Sequence, residues 1–275
     1  MFTHKKELQF HAKPERPDPV YAKKLQEILG GQFGEISVAM QYLFQGWNTR
    51  GNEKYKDLIM DTGAEEIGHV EMIATMIARL LDKAAVKDQE EAAKDPVIGS
   101  IMGDMNPQHA IVNGLGAAPK DANGNPWNAD YIVSSGNLLA DMRANVNAES
   151  QGRLQVARLY EMTEDRGVRE MLSFLLARDT MHQNQWIAAI RELEEKEGVV
   201  APSTVPPEWE ATEFSHQLIN FSEGEESAQL DWMGKEAPDG KAKFEYASKP
   251  VAHAEKPKLE PAPPYVHDTP PHDQK

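Results

Sequence analysis

The chain has no cysteine. That excludes disulfides, zinc–thiolate sites, iron–sulfur clusters and a thiol nucleophile. Positive charge is also short: 29 Lys+Arg stand against 44 Asp+Glu, a formal net charge of −15. No basic cluster offsets this balance, which argues against a nucleic-acid partner. Long hydrophobic runs are missing as well. No stretch approaches the roughly 18 uninterrupted apolar residues of a membrane span. The segment from Met1 to Glu7 has no apolar core of the kind a signal peptide needs. A soluble, cytoplasmic protein with no membrane partner is expected.

With 275 residues the chain can form one sizeable domain with extensions. Residues 1–19 read as an extended arm containing Pro14, Pro17 and Pro19. From Val20 a helical pattern begins with Leu25, Ile28, Glu35, Val38 and Tyr42, interrupted at Gly30, Gly31 and Gly34. A second helix is expected over 53–83, with Thr62, Glu66, His69, Ile73, Met76 and Leu80 on one face. Residues 84–136 hold Pro96, Pro107, Pro119, Pro126 and six glycines, and read as a long crossover packing over the bundle and lining access to its core. A third helix is expected over 137–163, with Leu138, Met142, Glu149, Val156 and Leu159 aligned. A fourth runs to about 197, with Leu172, Leu175, Asp179, His182, Trp186 and Leu193 on one stripe, and ends at Gly198. The fold class is therefore all-α: a four-helix bundle domain over 20–198 with an extended C-terminal arm over 199–275. Residues 249–275 contain seven prolines and three histidines and read as a solvated or disordered tail.

The apolar stripes carry chemistry. Glu35 precedes His69 by 34 positions, and Glu149 precedes His182 by 33. Glu66 and His69 are three apart, so their side chains share a helix face. Three carboxylates and two imidazoles thus sit on the interior stripes of four helices. Unpaired buried carboxylates are costly, and no Lys or Arg on the same stripes can pair with all three. A bundle that brings such faces together builds a dinuclear metal site in its core. Two divalent ions and one bridging hydroxide would balance the three carboxylates. Oxygen and imidazole donors favour manganese or iron, without choosing between them.

Several runs resemble the non-haem manganese catalases of the ferritin-like superfamily. They are Met1-Phe2-x-His4-x-Lys6-Glu7-Leu8-Gln9, Gly31-x-x-Gly34-Glu35, Gln41-Tyr42, Glu65-Glu66-x-x-His69-x-Glu71, Asn147-x-Glu149 and Met181-His182-Gln183. The resemblance covers most of residues 1–230. It implies two manganese ions per subunit, one held by Glu35 and His69 and the other by Glu149 and His182, with Glu66 bridging. It implies disproportionation of two hydrogen peroxide molecules to two waters and one dioxygen, the dimanganese pair alternating between (II,II) and (III,III). Glu35 is the candidate proton shuttle, and Tyr42 falls where the family's tyrosine hydrogen-bonds near the site. Asn220-Phe221-Ser222-Glu223-Gly224 resembles the family's calcium loop, which implies a calcium site from Asn220, Ser222 and Gly224 with Asp57 and Asp61. The family's homohexamer, in which terminal arms embrace neighbours, is implied too.

The chain departs from some members at two places. Ala148 stands where they have an arginine, and Asp179 where they have a glutamate that fixes the second histidine. A more open or differently braced site is expected, with Asp179 reaching it through water. Two other readings remain at this level. One is a di-iron oxidase or ferroxidase on the same fold. The other is a structural or coat protein that keeps the fold without catalysis.

Overall fold

The computed structural model describes residues 3–84, 112–198 and 205–258. Among these, the first unit contains five long α-helices: α1 (Pro19–Gly30), α2 (Glu35–Asn48), α3 (Glu53–Leu80), α4 (Leu138–Glu161) and α5 (Arg166–Glu197). The bundle is built from α2 paired with α3 and α4 paired with α5, while α1 packs on α3 and α4. The first helical pattern is therefore two helices. A turn at Gly31–Gly34 separates them, with the Gly34 amide donating to the Gly31 carbonyl at 3.0 Å.

Capping matches the local sequence. Asp18 accepts from the Tyr21 amide ahead of Pro19 at the start of α1. Asn52, Asn137 and Asp165 cap α3, α4 and α5 in the same way. Gly198, at φ +64°, ends α5 in the left-handed region.

Each stripe read from the sequence faces inward; of the residues named on the stripes, only Leu138 is less than fully buried. The apolar core forms two layers. One contains Tyr21, Leu25, Ile28, Met72, Met76, Val156 and Leu172. The other contains Val38, Tyr42, Ile59, Met142, Trp186 and Leu193. Along α3, α4 and α5 the buried Glu and His residues fall between positions belonging to these two layers, while Glu35 stands at the very start of α2, ahead of Val38 and Tyr42 of the second layer. The centre is thus a polar layer held between two apolar ones.

The described part of the crossover lies against α1 and α2. Gln26 Nε2 donates to the carbonyls of Ala118 (2.5 Å) and Lys120 (2.6 Å). A Cβ on Gly30 would lie 2.3 Å from the Lys120 carbonyl oxygen, so glycine is needed for this approach. Trp127 Nε1 donates to Ser37 Oγ (2.9 Å), and the Val133 amide donates to Gln41 Oε1 (2.9 Å). The N-terminal arm runs along α3: Gln9 Nε2 donates to the Glu65 carbonyl (2.8 Å), and Gly68 leaves the room for Gln9 to do so.

Residues 205–275 cluster as a second unit. Its described part is mostly irregular, with short 3-10 turns and a parallel pair, β1 (Gln217–Ile219) and β2 (Glu245–Ala247), in register Leu218 to Tyr246. Three-residue strands are too short to leave a periodic signal, and none was expected. The Pro-rich end from residue 259, with His267 and His272, lies outside the described residues.

Candidate metal centre

Four helices contribute to one buried cluster. Glu35 opens α2, Glu66 and His69 lie mid-way along α3, Glu149 lies on α4 and His182 on α5. All five are at most 7 % exposed. Glu35, Glu66 and His69 offer ligand atoms within 4.8 Å of one another, and so do Glu66, Glu149 and His182. Glu66 is common to both groups. Its Oε2 is 2.6 Å from His69 Nδ1 and its Oε1 is 2.7 Å from His182 Nδ1. Glu35 Oε2 lies 3.7 Å from His69 Nδ1, and Glu149 Oε1 lies 3.3 Å from His182 Nδ1. Both Nδ1 atoms and a pair of carboxylate oxygens at each therefore converge.

The electrostatics of the bare cluster are strained. Burial, then the charge of Glu66, pushes the Glu35 carboxyl up to about 8. Glu149 is also pushed up, burial first. Burial acts the same way on Glu66, but His69 and His182 outweigh it and hold that carboxyl well below the usual range. The imidazoles are raised against the effect of burial, His182 to about 12, by the surrounding carboxylates. His182 Nδ1 sits at ion-pair distance from two carboxylates yet has no well-aligned hydrogen bond among the described residues. Buried acids forced toward protonation, with unsatisfied imidazole nitrogens aimed among them, are a donor set suited to cations.

Tyr42 is fully buried on α2; its hydroxyl donates to Glu149 Oε1, and its ring packs on Trp186 with centroids 5.1 Å apart. Asp179 is 5 % exposed, and its Oδ2 has no hydrogen-bond partner among the described residues. Burial, followed by the charges of Glu35, Glu149 and Glu66, pushes Asp179 up to about 9. Ala148 is buried and contributes no charge.

The positions read as a calcium site fall in two units. Asp57 and Asp61 are exposed on α3. In the second unit, the Ser222 amide donates to Asn220 Oδ1 (2.9 Å) and Asn220 Nδ2 donates to the Gly224 carbonyl (2.7 Å), closing a compact loop with Gly224 at φ +83°.

Two features escaped the sequence. One is a buried amide network: Gln41 and Gln45 both donate to Asn145 Oδ1 (2.8 and 2.9 Å), and Asn145 returns a bond to Gln45 Oε1 (2.8 Å). The other is Glu65, bound by Arg178 through Nε (2.6 Å) and Nη2 (3.2 Å). Glu65 is four residues before His69, and Arg178 four before His182. That spacing was the available signal.

A four-helix bundle with paired carboxylate–imidazole clusters across its core defines the ferritin-like dinuclear metal proteins. The family model described as "Manganese containing catalase" matches residues 1–275, and the chain belongs to that family. It is 72 % identical over 269 residues to a manganese catalase of Bacillus subtilis, covering 98 % of each chain. It is 52 % identical over 268 residues to a manganese catalase of Lactiplantibacillus plantarum, covering 98 % of this chain and 99 % of the relative. The crystal structure of KatB, a manganese catalase from Anabaena, superposes with a TM-score of 0.72 at 28 % identity, covering 91 % of this chain and all of that one. The chain is an enzyme that disproportionates hydrogen peroxide to water and dioxygen. Among the described residues no helix is long and apolar enough to cross a membrane.

Proposed function

We propose that Glu35 and His69 hold one manganese ion, that Glu149 and His182 hold a second, and that Glu66 bridges the two. The observation that carries this reading is the division of Glu66, one oxygen to each Nδ1 at 2.6 and 2.7 Å. Two manganese ions held there would supply a two-electron redox store, with (II,II) and (III,III) as its two levels. The protein's own groups do the rest. Glu35 holds a proton at its carboxylate and returns it to the oxygen that leaves as water. Tyr42 fixes Glu149 by donating to Oε1. Asp179, whose Oδ2 has no hydrogen-bond partner among the described residues, orients solvent beside the cluster. The apolar layers on either side keep bulk water from the reacting peroxide.

The organisation proposed with this function is an arm over 1–19, a catalytic domain over 20–198 and a C-terminal arm over 199–275, assembled as a cytoplasmic homohexamer. Asp57 and Asp61, with Asn220, Ser222 and Gly224, supply oxygens for calcium, which ties the C-terminal arm to a neighbouring subunit. The closed Asn220–Gly224 loop supports this part. Loss of calcium and of the hexamer in Asp57→Ala is the expected result, read by metal analysis and sedimentation. A parent hexamer with no calcium would reject the site.

The test of the central reading is metal content by mass spectrometry together with dioxygen release from peroxide in the presence of azide. About two manganese per chain with azide-tolerant release supports it. Two irons with little dioxygen would replace it with an oxidase.

A further inference from the structure

Glu65 sits on the far side of both imidazoles from Glu66. Its Oε1 is 3.6 Å from His69 Nε2 and its Oε2 is 3.3 Å from His182 Nε2. Both Nε2 atoms are buried and make no hydrogen bond of good geometry among the described residues. The rings themselves are stacked, with centroids 5.8 Å apart at 27°. Two neighbouring carboxylates therefore face the same two rings: Glu66 meets both Nδ1 atoms and Glu65 faces both Nε2 atoms.

We propose that Glu65 is a shared positioning residue that fixes both histidines in the tautomer with the proton on Nε2, leaving both Nδ1 atoms free to bind metal. This rests on the dimanganese reading of the cluster. A neutral imidazole carries one N–H, and a ring that binds through Nδ1 must place it on Nε2. A buried N–H without an acceptor is costly, and Glu65 offers a separate oxygen to each. Its carboxylate cannot turn freely. Arg178 grips both oxygens from α5, at 2.6 and 3.2 Å, and the planar fork sets the plane of the carboxylate. The backbone of Glu65 is fixed in turn by Gln9 on the N-terminal arm. One ion pair between α3 and α5 thus sets two ligands on those same helices.

The geometry gives an asymmetric test. Alanine at 65 removes both acceptors. Glutamine keeps one acceptor oxygen and turns an NH2 donor toward the other Nε2–H. The full-length protein is stripped with a chelator, and manganese(II) is titrated back by calorimetry into parent, Glu65→Ala and Glu65→Gln. Melting of each stripped protein is followed alongside. The expected result is about 10- to 100-fold weaker binding of both ions in Glu65→Ala, and of one ion only in Glu65→Gln. Stripped melting temperatures should not account for the order. Two ions bound by Glu65→Ala with parental affinity would overturn the proposal. So would equal loss of both ions in the two variants, because that marks a general structural role. A parent that takes up no manganese would overturn the metal reading and this one with it, whereas a parent with two ions leaves the metal reading standing whatever the variants do.

Discussion

The rings of His69 and His182 are stacked at 27° with centroids 5.8 Å apart, and Nδ1 of each is turned to a different oxygen of one carboxylate, Glu66. The chain brings these rings together from α3 and α5, which belong to different helix pairs of the bundle. Whatever holds the two pairs in register therefore also sets the spacing of the centre.

Removing the shared carboxylate should affect both halves at once. Glu66→Ala is expected to retain its helices but lose manganese and peroxide turnover. His182→Ala should lose activity through one terminal position. Circular dichroism, metal analysis and dioxygen release check this. Parental metal content and activity in either variant would reject the assigned centre.

Tyr42 acts through Glu149. Phenylalanine preserves the ring packing on Trp186 and deletes the donor to Oε1. Tyr42→Phe should melt close to the parent while losing about 10-fold or more in turnover or manganese retention. Unchanged kinetics and metal content would make the hydroxyl a packing feature alone.

The metal-free protein should become less stable as pH rises. Glu35 is raised to about 8 and Asp179 to about 9, burial being the first cause in each. A raised carboxyl keeps a proton in the fold that the unfolded chain releases, so the stability it contributes is full below the usual carboxylate range and is lost toward the raised value. His182, raised to about 12 by its carboxylate neighbours although burial opposes this, has the same sign above its ordinary value. Glu65 and Glu66 are held low, so their effect is confined to more acid conditions. Melting of stripped protein should fall between about pH 5 and pH 9, and Asp179→Asn should flatten that fall. A flat parental profile would contradict the burial of these groups.

Gly30 is where the crossover meets α1. Alanine would gain up to about 1 kcal/mol of helix propensity, yet its Cβ would lie 2.3 Å from the Lys120 carbonyl oxygen and 2.7 Å from its carbonyl carbon. Backbone cannot yield as a flexible side chain can. A net loss of about 1–2 kcal/mol is expected for Gly30→Ala, read as a lower denaturation midpoint. A stabilised variant would mean that the 118–120 segment moves aside freely.

The legible parts of this molecule are those written in helical periodicity. Ile73, Met76 and Leu80 share a spacing with Glu66 and His69, so the face of α3 and its ligands could be read together. The turn at Gly31–Gly34 was visible as an interruption but not as a full break, because glycine in a helix weakens a pattern without ending it. Glu65 was hidden by its neighbour: consecutive residues on a helix point about 100° apart, so it lies off the stripe that holds Glu66. The amide group of Gln41, Gln45 and Asn145 was illegible because long polar side chains carry no signal of which partner they meet. The 217–219 and 245–247 strands pair across a stretch of irregular chain, where no local pattern could anticipate them.

The two apolar layers on either side of the polar one carry a consequence for the order of events in the protein's making. Hydrocarbon contacts above and below the centre join the five described helices without help from any ion. The chain is therefore expected to complete its architecture before it is charged, and a molecule that gives up its ions to stay ready to be charged again.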